Sequence, residues 1–126
     1  MDQKIIQTKN APAPIGPYNQ AVFAGNLLFV SGQIALVPGT DNLANETIAE
    51  EATQVMNNLK AILIEAGIDF SDVVKTTIFL SDMSLFAEVN KIYASYFNGN
   101  YPSRETVAVK GLPKNVNVEI SMIAAK

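Results

Sequence analysis

The chain has 126 residues, of which 48% are apolar and 17% charged, and its net charge is −3. That is one globular domain with a core of its own, neither a disordered segment nor a multidomain protein. There is no Cys, His or Trp, which excludes a disulfide framework, a thiol nucleophile, a thiolate or imidazole metal site and a Ser-His-Asp triad. No apolar run approaches the ~20 residues of a membrane span. The first residues, Met1 to Ile6, lack the apolar region of a signal peptide, so a soluble cytoplasmic protein is expected. The cationic residues are scattered singly, without the basic stripe that phosphate neutralisation demands, and nucleic acid is disfavoured as a partner.

In chain order, residues 3–7 read as a short first strand. Prolines at 12, 14 and 17 then impose an ordered loop. Tyr18–Ala24 reads as a strand, Gly25-Asn26 as a hairpin turn and Leu27–Ile34 as the return strand. The first helix opens with a capping-box pattern, Thr47-Ile48-Ala49-Glu50, carries an apolar face from Ile48 to Ala66 and stops at Gly67. Val73–Leu80 is rich in β-branched residues and reads as a strand. A second helix is predicted from about Ser84 to Phe97. Two closing strands follow, one opened by Arg104 and one running over Val116–Met122. Helices between strands predict parallel crossovers, and the hairpins predict antiparallel edges. The simplest packing is an α+β two-layer sandwich: a mixed sheet of about six strands with both helices on one face, in a single domain over residues 1–126.

Arg104 is the only arginine. Strand alternation sets Val107 and Val109 against Arg104, Thr106 and Ala108, and sets Val116, Val118, Ile120 and Met122 against Asn117, Glu119 and Ser121. This predicts that Arg104, Thr106, Glu119 and Ser121 share the sheet face the helices leave bare, a face suited to association with further copies. A lone guanidinium on a rigid strand can grip a planar anion through two parallel hydrogen bonds. The plainer alternative is a structural ion pair with Glu119 or Glu105. For Glu119 itself the generic reading is a rim or interface carboxylate, and for Ser31 a turn hydroxyl without a base partner. Tyr18 and Tyr93 read as packing residues, with Tyr18 singled out because Gly16-Pro17 holds it on a stiff loop. Gly32 relieves a strand end, and Asn90 lies near the apolar face of the second helix.

Several segments together resemble the Rid (YjgF) family, the reactive intermediate deaminases. They are Ile15-Gly16-Pro17-Tyr18-Asn19-Gln20-Ala21, Ser31-Gly32-Gln33, Lys75 to Leu80 with Asp82-Met83, Val89-Asn90-Lys91-Ile92-Tyr93, Pro102-Ser103-Arg104, Leu112-Pro113 and Val118-Glu119-Ile120. The resemblance implies a chorismate-mutase-like fold assembled as a homotrimer with sites between subunits. It also implies hydrolysis of small 2-imino acids, such as 2-iminobutanoate and 2-iminopropanoate, to 2-oxo acids and ammonia, with no cofactor and no metal. Carried onto this chain, the carboxylate-binding arginine is Arg104 and the acidic residue that handles water is Glu119. Substrate contacts fall on Tyr18, Gly32 and the backbone at Thr106, and Ser31 and Asn90, within the matching segments, are further candidate substrate contacts. Thr106 stands where the family often has cysteine, and Ser121 where many members have a second glutamate. Two other functions fit the same arginine: a non-catalytic module that senses small carboxylates or amino acids, and an RNA-cleaving translation inhibitor, which the acidic balance disfavours.

Overall fold

A computed structural model of the chain describes residues 3–126; Met1 and Asp2 are not described. The elements are β1 (Gln3–Ile6), β2 (Ala21–Ala24), β3 (Leu27–Gln33), α1 (Ile48–Glu65), β4 (Val73–Leu80), α2 (Phe86–Ala94), β5 (Ser103–Ala108) and β6 (Val118–Ala125). The order matches the sequence reading, an α+β chain with a mixed six-stranded sheet and two helices. Among the described residues, no helix is long and apolar enough to cross a membrane.

The sheet order is β1-β2-β3-β6-β4-β5. The β4–α2–β5 unit is the expected parallel crossover between neighbours. In the β3–α1–β4 unit the two strands run the same way but do not touch, because β6 lies between them and is antiparallel to both. The last strand therefore occupies the centre of the sheet. Residues of even number on β6, from Val118 to Ala124, are buried under the helices together with Leu28, Val30, Ile78 and Leu80. Ala52, Val55, Met56, Leu59, Ile62 and Leu63 of α1 cover them. Truncating a fully buried residue of this kind, as in Leu59→Ala, costs ~2–5 kcal/mol.

Local signals explain where the elements start and stop. The Thr47 hydroxyl accepts the Glu50 N–H at 3.0 Å, and the Glu50 carboxylate reaches back to the N–H of Glu46 (3.3 Å), one residue before the reciprocal partner of a capping box. At the other end of α1, the Gly67 N–H donates to Ile64 O (2.9 Å) and the Ile68 N–H to Leu63 O (3.0 Å). With Gly67 at φ +78 this is a Schellman stop. In the β2–β3 hairpin Gly25 alone has positive φ, the sign pattern of a type II′ turn. The second helix is shorter than predicted. A 3₁₀ turn over Met83–Leu85, capped by the Asp82 carboxylate on the Ser84 N–H (2.7 Å), precedes it. After Ala94 the ladder tightens, as the N–H groups of Tyr96 and Phe97 bond three residues back. The apolar period persists to Phe97, whose ring lies 4.8 Å from that of Tyr93 and 5.4 Å from that of Phe70.

One expectation is overturned. In the parallel β4–β5 pair, Thr76 faces Arg104 and Ile78 faces Thr106, and Thr76 and Ile78 are buried under the helices. Arg104 and Thr106 therefore lie on the helix side. Glu119 pairs with Phe79 and Ser121 with Thr77, on the opposite, uncovered face. The alternation of polar and apolar residues along β5 is real, but its apolar side is turned away from the helices. β5 is an edge strand that the helix layer barely reaches, so burial under α2 does not dictate which side is apolar. Val107, exposed at 42%, instead joins Ile5, Leu27 and Phe29 among the exposed apolar side chains of the uncovered face.

Candidate active site

Two concave regions hold the residues singled out above, on opposite sides of the sheet. The first has a volume of about 360 Å³ and is walled by the proline loop (Pro12, Ala13, Ile15, Tyr18), the end of β3 (Ser31, Gly32, Gln33) and Pro113, with Glu119 on its floor. A register shift between Val30 and Gln33 marks a bulge opposite β6, a device that re-aims strand ends beside sites. It brings Gly32 against Glu119. A Cβ on Gly32 would overlap the carboxylate, lying 2.9 Å from Cδ of Glu119. Glycine is thus needed here for close approach rather than to end the strand. Burial pushes the Glu119 carboxyl above its ordinary 4.5, and among the described residues no positive charge or hydrogen bond opposes that shift.

Tyr18 and Ser31 serve the same cavity in different ways. The Tyr18 phenol oxygen accepts the Ile15 N–H at 3.3 Å, which leaves its O–H free to donate. The Ser31 hydroxyl donates to Asn19 O (2.6 Å), and its N–H donates to Gln20 O (2.9 Å). Ser31 is therefore a tie between the proline loop and β3. Buried Gln20 completes that tie. Its Oε1 accepts the Thr8 N–H (2.7 Å), and its Nε2 donates to the carbonyls of Thr8 (3.0 Å), Ala11 (3.3 Å) and Pro12 (2.8 Å). Four bonds on one side chain hold a loop whose prolines give it few donors of its own.

The second region, about 270 Å³, is lined by Asn90, Tyr93 and Ala94 of α2 with Tyr101, Pro102 and Arg104. The guanidinium carbon of Arg104 lies 5.0 Å from the Tyr93 ring centre and 5.6 Å from that of Phe86. The Tyr93 hydroxyl bonds to buried Thr76 (3.1 Å), and burial raises its pKa above the ordinary 10.0, so it stays a neutral phenol. Among the described residues the only ion pair joins Lys75 to Glu105, at 3.0 Å. Arg104 is accordingly not the structural ion pair weighed above: Glu105 is taken by Lys75 and Thr77, and Glu119 is across the sheet.

The backbone beside Arg104 is also open. Val109 donates its N–H to Leu80 O (2.9 Å), which fixes the phase of the parallel ladder. Odd-numbered residues of β5 bond to β4, and the N–H and C=O groups of Arg104, Thr106 and Ala108 point outward from the free edge. The Thr106 hydroxyl is buried and has no hydrogen-bond partner among the described residues. The sequence reading missed the aromatic pair around the guanidinium. The signal was available in Phe86 and Tyr93, seven residues apart on one face of α2, but it read as core.

Among the described residues, Arg104 is a half-buried guanidinium without a counterion and Glu119 a carboxylate raised by burial, groups of the kind that gather at binding sites. A family model described as Endoribonuclease L-PSP matches residues 8–126. The chain is 48% identical to a RutC family protein of Pyrococcus horikoshii, over 98% of each sequence. It is 47% identical to the 2-iminobutanoate/2-iminopropanoate deaminase of Rattus norvegicus, over 98% of this chain and 90% of that protein. The crystal structure of E. coli TdcF with bound serine superposes with a TM-score of 0.93 at 40% identity, covering 98% of each chain. The chain belongs to the Rid (YjgF) family.

Proposed function

We propose that this protein hydrolyses small 2-imino acids, with 2-iminobutanoate and 2-iminopropanoate as the reference substrates, to 2-oxo acids and ammonia. The placement of Arg104 and Glu119 on opposite sides of the sheet carries the reading. Each half-site is chemically incomplete within one chain. One offers an anion clamp, the other a raised carboxylate with no clamp beside it. Copies arranged head to tail unite the two, because a contact between unlike patches closes into a ring when the rotation permits. The exposed apolar side chains on the uncovered face supply the surface for that contact. Three copies is the number that the family resemblance implies.

In the joined site Arg104 of one copy grips the substrate carboxylate through two charge-assisted hydrogen bonds, with the aromatic rings of Tyr93 and Phe86 limiting its swing. The outward N–H of Thr106 gives a further donor along the free edge. The imine carbon is thereby fixed before the water that the neighbouring Glu119 handles. Glu119 accepts a proton as the water oxygen bonds to the carbon of the protonated imine and the C=N π pair moves to nitrogen, giving a neutral carbinolamine. It returns that proton to nitrogen and takes the hydroxyl proton as the O–H pair forms the C=O bond and the C–N bond breaks; ammonia leaves and picks up the last proton as ammonium. Its raised pKa makes it a better proton acceptor than an exposed glutamate, and its partial burial favours the neutral form it holds between the two transfers. Tyr18 can donate its free O–H to the substrate from the cavity wall.

The test is a dehydratase-coupled assay of 2-oxo acid release with mixed variants. Arg104→Ala and Glu119→Gln chains are each expected to be inactive alone. Unfolded together at equal amounts and refolded, random pairing leaves about a quarter of the shared sites with both groups intact, and about a quarter of wild-type activity returns. No recovery in properly assembled mixtures would refute a site shared between copies, and no turnover by the wild-type chain would refute deamination. The serine bound to E. coli TdcF favours a second reading, a regulatory module that binds small amino or oxo acids without turnover. Calorimetry showing such binding, together with no turnover of any imine, would favour it.

A further inference from the structure

Glu51 sits on the apolar face of α1, fully buried, and forms no ion pair among the described residues. Its Oε2 accepts the backbone N–H groups of Asn117 (2.7 Å) and Val118 (3.0 Å), and its Oε1 accepts the Asn117 side-chain amide (3.1 Å). The Asn117 side-chain oxygen accepts the Ser81 hydroxyl at 2.7 Å, so the amide cannot turn over without losing Ser81. These two clamped residues immediately precede Glu119. Two helical turns further along the same side of α1, buried Asn58 donates to the carbonyls of Ile34 (3.1 Å) and Leu36 (2.9 Å). Ile34 and Leu36 line the Glu119 cavity. One rigid helix thus holds the strand that carries the carboxylate and the wall that faces it.

A buried carboxylate without a cation is a costly choice if stability alone is at stake, since an apolar residue of similar volume avoids the desolvation. What Glu51 adds is geometry, with three bonds converging on the two residues before Glu119. We propose that Glu51 is a positioning residue for Glu119, and that α1, through Glu51 and Asn58, sets the distance between that carboxylate and the cavity wall. This rests on the reading of Glu119 as the group that handles water.

In Glu51→Gln the side-chain oxygen can keep both backbone bonds, while its new NH₂ group meets the NH₂ of Asn117, donor against donor. Volume is preserved and the link to β6 loosens. The expected result is a kcat lower by about tenfold or more with KM within about twofold, because a positional error at the reacting group costs rate while the Arg104 clamp is untouched. A carbon-13 titration of the Glu119 carboxyl, which needs no activity, is expected to move down toward the ordinary carboxylate range as water gains access. Unchanged kcat and an unchanged Glu119 titration in folded Glu51→Gln would overturn the proposal. So would a loss confined to KM. If the wild-type chain hydrolyses no imine, the deaminase reading fails and the carboxyl titration alone decides the role of Glu51. If Glu51→Gln does not fold, Asn117→Ala, which removes one of the three bonds, must show the same kcat loss in smaller measure, and unchanged kcat there overturns the proposal equally.

Discussion

Gly32→Ala tests the catalytic geometry with one methyl group. The φ of Gly32 lies outside the left-handed region, so alanine fits the backbone and the steric effect is isolated. The added Cβ would stand 2.9 Å from Cδ and 3.1 Å from Cγ of Glu119. To restore ordinary contact the carboxyl carbon must retreat by about half an ångström and its nearer oxygen by about an ångström. Displacement on that scale costs on the order of 10²-fold in rate when the moved group takes part in proton transfer. Stability should suffer less, by ~1–3 kcal/mol or under, because the obstructed atoms end a side chain that can swing into the cavity. The assay pairs initial rates of 2-oxo acid release with a thermal melt and with binding of a 2-oxo acid at the Arg104 side. A folded Gly32→Ala protein with wild-type kcat would show that Glu119, as placed here, is not the group that handles water.

The other expectations concern charge and assembly. Arg104→Lys keeps the charge and loses the two-pronged geometry, so kcat/KM should fall by about 10²-fold or more from two charge-assisted bonds at ~1.5–3 kcal/mol each; a wild-type value from steady-state kinetics would locate the clamp elsewhere. Glu119 has its pKa raised by burial, so the acid limb of the kcat profile should lie above 4.5 and vanish with Glu119→Gln along with most of the activity. The same shift means that ionised Glu119 opposes folding, a penalty absent below the unfolded pKa and complete once pH exceeds the folded one. Glu119→Gln should therefore raise Tm at neutral pH and leave it unchanged near pH 3, and the reverse order in melts would contradict the burial. Phe29→Asp places a charge on the uncovered sheet face, where Phe29 is 45% exposed. It should shift the protein to monomer in sedimentation and reduce turnover to background, and an unchanged mass would place the contact on another face.

Much of the fold was legible because local and tertiary signals agree. The apolar period of α1, the Thr47 cap and the Gly67 stop each have one structural meaning, and the structure uses all three. The limit of α2 was not legible, since Tyr96 and Phe97 continue the apolar period while their N–H groups change to the tighter ladder. Nor was the side of the sheet that Arg104 occupies. Period-two alternation separates the two sides of β5 but cannot say which one meets the helices. On a central strand the apolar side faces the core, but on an edge strand such as β5 it need not. The position of β6 between β3 and β4 is likewise a long-range pairing with no local signature, and Glu51 on the apolar face of α1 reads as an irregularity until Asn117 and Val118 are seen beside it.

The separation of Arg104 from Glu119 across the sheet has a consequence for dose. On the proposed assembly, a solitary chain has no turnover at all, so specific activity is not a constant of the protein. It should decline on dilution once the copies part, and a modest reduction in expression near that threshold would remove more than its share of capacity.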